Sequence, residues 1–308
     1  GSLLVGVGLP LLLALSLVAT SAAAGSNRPR GEEATTTSTT EPVSVWRGPG
    51  PPCKVKLPEP PGVTAYGTFY TCPPKRVMIV GDSVSLTMGI EMALDEENWG
   101  IETDNVAILG CGYVVGMQVD QNDKFVNQND ACSNEYGTWR SDAESFKPQV
   151  VIVEMGWWDS MLHKHDGEVV QLGQSWYDGV LLARMKTLLS ALAVAGGPHV
   201  DFLTVPWMDP PKWPNGESNP GASPAAHDEI NGLLADAVRS DPSRATLIDV
   251  SPYITPKGRY QEYFDGRCRE TDGVHMYVGE GLDFVLTHCG YELQKGVFSE
   301  VRQQLENK

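Results

Sequence analysis

Five short apolar-leaning runs, Arg76–Val80, Thr103–Leu109, Val150–Met155, Val200–Val205 and Thr246–Val250, recur along the chain with longer amphipathic stretches between most of them. A run of β-branched and aliphatic residues suits a strand covered on both faces. An amphipathic helix between two such strands returns the chain so that they lie parallel. The alternation therefore predicts a parallel sheet flanked by helices at Val84–Glu96, Trp176–Ala195, Pro224–Arg239 and Gly281–Leu305. Ser223 followed by Pro224 supplies an N-cap and first-turn pair for the third of these. Once roughly sixty N-terminal residues are set aside, about 250 of the 308 remain, enough for one well-filled α/β domain or two small ones.

In an open parallel sheet, sites form at the carboxyl ends of the strands. The first three of these ends carry Gly81-Asp82-Ser83, Gly110-Cys111-Gly112 and Gly156-Trp157-Trp158-Asp159. Ser83 stands where a helix begins, beside unpaired N–H groups and the positive end of the helix dipole, so an alkoxide or oxyanion would be stabilised there. Simple helix capping by Asp82 or Ser83 is the competing use of the same residues. Nearly two hundred residues later, Asp272-Gly273-Val274-His275 places a carboxylate three residues before an imidazole. That pair can supply the base a serine nucleophile needs and the acceptor that fixes the tautomer of the base. For His163, His165, His199, His227 and His288 no nearby residue has a stated job of this kind, and a surface or capping role is expected.

The ends of the chain carry different information. Leu3–Ala24 has 22 residues without a charge, about 33 Å as a helix against the roughly 30 Å of a bilayer core. It reads as a transmembrane helix over residues 1–24, a signal-peptide remnant being the alternative. Residues 25–61, rich in Thr, Ser, Pro and Gly, read as a disordered tether. Residues 62–308 form the folded domain. Six cysteines, Cys53, Cys72, Cys111, Cys132, Cys268 and Cys289, stand singly at wide spacings with no zinc-type cluster. Beside an export or membrane segment they read as disulfides. Fifteen pairings are open, and sequential neighbours are expected, each closing a loop of about twenty residues. With 23 basic and 39 acidic residues the net charge is −16, which disfavours a nucleic-acid partner.

The Gly81-Asp82-Ser83 and Asp272-Gly273-Val274-His275 blocks, in this order, resemble those of the SGNH (GDSL-like) hydrolase superfamily, over roughly Lys75 to Leu305. The resemblance implies a three-layer α/β/α fold with a central five-stranded parallel sheet, here preceded by one apolar helix and a tether. It implies metal-free and cofactor-free catalysis, with Ser83 as nucleophile, His275 as general base and acid, and Asp272 orienting it. The backbone N–H groups of Ser83 and Gly112 would bind the oxyanion. The third block departs from the family pattern: Trp158 stands where the family has an oxyanion-binding Asn. Loss of such a donor typically costs about a hundredfold to a thousandfold in rate. Trp157, Trp158 and Asp159 are expected to line the substrate site, with core packing of the tryptophans as the alternative.

The Trp in this block, Gly110-Cys111-Gly112, Cys132 and the preceding apolar span together resemble the SGNH domains fused behind acyltransferase family 3 membrane modules. That resemblance implies an O-acyltransferase anchored in the cell membrane through residues 3–24, its catalytic domain on the extracytoplasmic side. A membrane module would deliver the acyl group, and a cell-envelope glycan or glycolipid hydroxyl would receive it. A carbohydrate or lipid O-acyl esterase and a non-catalytic glycan-binding module are the alternatives.

Overall fold

The computed structural model describes residues 74–94, 96, 101–121, 123–193, 197–251, 255, 258–260 and 272–275. The chain divides into two units, residues 1–45 and 46–308, and the described residues belong to the second. The apolar segment 3–24, the tether 25–61, the expected helix Gly281–Leu305 and Cys53, Cys72, Cys268 and Cys289 lie outside the described residues. None of the described helices is long and apolar enough to cross a membrane.

Five parallel strands form the central sheet: β1 (Lys75–Gly81), β2 (Ile101–Asn105), β5 (Val150–Glu154), β8 (His199–Leu203) and β9 (Ala245–Ile248), in the order β2-β1-β5-β8-β9. β5 and β8 are buried along their whole length, β5 as its near-continuous apolar sequence requires and β8 with His199 and Asp201 buried among its apolar residues. Among the described residues four helices accompany the sheet: α1 (Ser83–Leu94), α2 (Glu135–Phe146), α3 (Ser175–Leu192) and α4 (Pro224–Arg239). Right-handed crossovers in this strand order put α1 on one face and α2, α3 and α4 on the other. α2 packs on α3, and α3 on α4. The result is an α/β/α arrangement.

The strand order reverses direction between β1 and β5, and their carboxyl ends are the switch point where such sheets hold ligands. Two corrections to the sequence reading bear on that edge. The second strand ends at Asn105 rather than Leu109; the chain beyond it still follows β1, with Val106 N–H donating to Ile79 O (3.0 Å) and Ile108 N–H to Gly81 O (2.8 Å). A second sheet of short antiparallel strands was not legible from the pattern. It comprises β3 (Gln118–Asp120), β4 (Phe125–Asn127), β6 (His163–His165) and β7 (Glu168–Val170), in the order β4-β3-β6-β7.

Candidate active site

Ser83 is the first residue of α1, directly after β1. Its neighbours fix that position. Asp82 is fully buried, and its Oδ1 accepts from Val84 N–H (2.8 Å), capping the helix. Ser85 Oγ donates back to Val80 O (2.9 Å). Asp82 is thus the cap of this helix, a use of the loop that does not engage the Ser83 side chain. Burial pushes the Asp82 carboxyl up to about 7, against the Val84 N–H bond and the nearby His275.

His275 reaches Ser83 from 192 residues along the chain, its Nε2 2.7 Å from Ser83 Oγ. On the other side of the ring, His275 Nδ1 lies 2.5 Å from Asp272 Oδ2. Asp272 Oδ1 accepts from Val274 N–H (2.9 Å) and His275 N–H (3.0 Å), so one carboxylate fixes both the turn and the ring. Partial burial works against its charge, but the bond to His275 and the two N–H donors outweigh it and hold the carboxyl down at about 2. An ionised Asp272 makes Nδ1 the protonated nitrogen. Nε2 is then free to accept the Ser83 proton.

The turn that carries this pair is itself held. Asp209 N–H donates to Gly273 O (3.0 Å), and Gly273 has φ +71°. Asp209 belongs to the Pro-rich segment following β8. Its role in the structure includes buttressing the triad turn. Asn231 of α4 fixes the start of that segment, accepting from Val205 N–H (2.8 Å) and donating to Val205 O (3.1 Å).

The Gly110-Cys111-Gly112 loop lies beside the same edge. Cys111 is bonded to Cys132, the sequential pairing expected for these two. Among the described residues, the N–H groups of Ser83 and Gly112 meet no acceptor. The next two N–H groups, of Tyr113 and Val114, donate to Asp159 Oδ2 (2.8 Å) and Oδ1 (2.9 Å). Tyr113 O accepts from Arg184 Nε (2.8 Å) and Tyr136 O–H (3.2 Å).

In the third block, Asp159 is fully buried and ties down a neighbouring loop, and Trp157, 6% exposed, packs in the core. Trp158 is partly buried, its ring 4.0 Å from where a Cβ on Gly110 would sit. Its buried indole N–H has no hydrogen-bond partner among the described residues. No local signal marks Asp159 as a clamp, or Arg184, Tyr136 and Asp209 as supports, because each acts on a partner distant in the chain.

A hydroxyl, an imidazole and a carboxylate in relay at the carboxyl edge of a parallel sheet are the arrangement by which serine nucleophiles are activated for acyl transfer. No protein-family model and no curated protein matches the chain. Solved structures do. The carbohydrate acetylesterase Est24 of Sinorhizobium meliloti matches at 14% identity over 74% of this chain and 99% of its own, with a TM-score of 0.46. The periplasmic domain of a lipopolysaccharide acetyltransferase from Salmonella ser. Paratyphi A matches at 12% identity over 75% and 85%, with a TM-score of 0.47. The acetylxylan esterase Axe2 of Geobacillus stearothermophilus, in the form of a catalytic mutant, matches at 11% over 74% and 94%, with a TM-score of 0.43. At these identities and TM-scores the likenesses decide neither substrate nor mechanism.

Proposed function

We propose that the chain is a serine-dependent O-acyltransferase that carries an acyl group, acetyl being the simplest, on Ser83 and delivers it to a hydroxyl of a cell-envelope glycan or glycolipid. The observation that carries the chemistry is the unbroken relay from Ser83 Oγ through His275 to Asp272. Ser83 Oγ attacks the donor carbonyl while His275 Nε2 takes its proton. The resulting oxyanion is met by the unspent N–H groups of Ser83 and Gly112. Collapse expels the donor's leaving group, which takes the proton back from His275 and leaves an ester on Ser83. An acceptor hydroxyl then gives its proton to His275 and attacks that ester. The second collapse forms the product ester, and Ser83 recovers the proton.

Asp272 stays ionised throughout. It offsets the imidazolium charge and keeps Nε2 aimed at the reacting oxygens. An extracytoplasmic setting is supported by the Cys111–Cys132 disulfide, a bond that persists in oxidising compartments. The transferase choice and the membrane anchor at residues 3–24 rest on the sequence resemblance.

The test is product analysis with an activated acetyl ester, with and without oligosaccharide acceptors, for the wild type and Ser83→Ala. Acetylated sugar from the wild type alone supports the reading. Free acetate as sole product would make the protein an esterase built on the same residues. Equal activity, or equal inertness, of the two proteins would remove Ser83 from the chemistry.

A further inference from the structure

Gly112 lacks a side chain for a specific reason. A Cβ there would lie 2.8 Å from both carboxylate oxygens of Asp159 and 2.9 Å from its Cγ, and these three atoms are the nearest ones it would meet. The Asp159 carboxylate is thus seated against the Gly112 backbone while gripping the two following N–H groups. It has no exposed surface, and it follows β5, whereas the loop it holds follows β2. Ile108 N–H is bonded to Gly81 O, which brings the start of that loop to within two residues of Ser83. On its far side the loop is tied by the Cys111–Cys132 bond and by Arg184 and Tyr136 at Tyr113 O.

Burying a carboxylate is costly unless the site repays it with hydrogen bonds. Here desolvation raises the Asp159 carboxyl to about 7, against the Val114 and Tyr113 N–H bonds and the charge of Arg184. A neutral amide or hydroxyl would fill the space without that penalty. What only a carboxylate provides is two acceptor oxygens side by side, matched to two consecutive N–H groups. With Tyr113 and Val114 so occupied, the peptide before them is fixed in direction, and its N–H meets no acceptor among the described residues.

We propose that Asp159 is a positioning residue for catalysis: its carboxylate, by holding Tyr113 and Val114 N–H, sets the Gly112 N–H as a preorganised donor to the oxyanion formed at Ser83. The inference rests on the serine-acyl reading above and adds to it a residue with no part in the proton relay. Preorganisation of this kind acts on the transition state, where the oxyanion exists, and little on the ground-state ester. Its loss therefore appears in kcat rather than in KM.

The experiment compares the wild type, Ser83→Ala, Asp159→Asn, Asp159→Ser, Gly112→Ala and the Gly112→Ala/Asp159→Asn double variant. Each full-length chain is assayed for turnover of p-nitrophenyl acetate, with thermal unfolding followed in parallel. Asn offers one acceptor oxygen and Ser a single hydroxyl, both uncharged, so a folding failure of one variant leaves the other to report. We expect each Asp159 variant to lose about a hundredfold to a thousandfold in kcat, with KM within about twofold. Gly112→Ala should do the same. The double variant should be no worse than the worse single, because residues acting through one peptide are non-additive.

An Asp159 variant that folds and keeps kcat within about threefold of the wild type would overturn the proposal. So would a loss confined to KM, or single-variant losses that multiply in the double. A wild type as inert as Ser83→Ala would instead sink the serine-acyl reading, and the positioning role with it.

Discussion

The turn carrying Asp272 and His275 offers a severe geometric test at Gly273. Its φ of +71° already disfavours any residue with a side chain, at roughly 1–2 kcal/mol. Sterics add more. A Cβ at Gly273 would lie 2.1 Å from Asp209 O, 2.5 Å from Asp209 C and 2.9 Å from Pro210 N, all backbone atoms that no rotamer change can move aside. Restoring ordinary contact from 2.1 Å to 3.4 Å requires a displacement of roughly 1.3 Å between the two segments. That movement breaks the Asp209 N–H to Gly273 O bond and carries His275 away from Ser83, whose 2.7 Å contact has no slack. A misplacement of about 1 Å typically costs on the order of a hundredfold in rate. We expect Gly273→Ala to lower kcat/KM for an activated acetyl ester by at least that factor, with the protein still folded by circular dichroism. A folded Gly273→Ala within threefold of the wild type would show that the triad turn is not held by Asp209 as described.

Other outcomes follow from the same geometry. Asp272→Asn should lower kcat by about 10⁴-fold while leaving the fold intact, since the amide favours the wrong imidazole tautomer; a drop under tenfold in steady-state assays would contradict the relay. Between pH 6.5 and 8.5 thermal stability should fall as pH rises. Burial lifts Asp82 and Asp159 to about 7 and Glu135 to about 8, well above unfolded carboxyls, so the folded chain holds protons there that the unfolded chain has lost. His163, which burial lowers to about 4, opposes this only below its unfolded pKa of about 6.5. A melting temperature that climbs across that window would contradict the assignment. Replacing both Cys111 and Cys132 by Ser should cost about 3 kcal/mol in urea unfolding, given a separation of 21 residues, and an unchanged midpoint would refute it.

The parallel sheet was legible because buried strands such as Val150–Glu154 and Lys75–Gly81 are apolar almost without interruption, and that pattern has few other uses. Helix α4 was bounded to the residue, since Ser223 Oγ accepts from Ala226 N–H with Pro224 behind it. Helix α2 was missed. Its buried apolar residues Tyr136, Trp139 and Ala143 do stand at helical spacing, but so few of them mark the stripe, in a segment otherwise polar and with Gly137 in its first turn, that the signal is weak. The small antiparallel sheet is made of strands three residues long, too short for a period of two to register.

At the site, Ser83, Asp272 and His275 could be singled out from sequence because a serine–imidazole–carboxylate relay needs those residue types, and the structure brings the three side chains together. The burial of Trp157 and Asp159 was not legible because a motif gives proximity in sequence, whereas burial depends on what packs above. The partners of Asp159 lie 45 and 46 residues upstream. Nothing in the local sequence announces them.

The most direct measurement is peptide mass spectrometry of the full-length protein quenched during turnover of an acetyl donor. An acetyl group is expected on the peptide containing Ser83, absent from Ser83→Ala and strongly reduced in His275→Ala. A wild-type protein that turns the donor over while Ser83 stays unmodified, with the acetyl group on another side chain or on none, would contradict the acyl-serine mechanism.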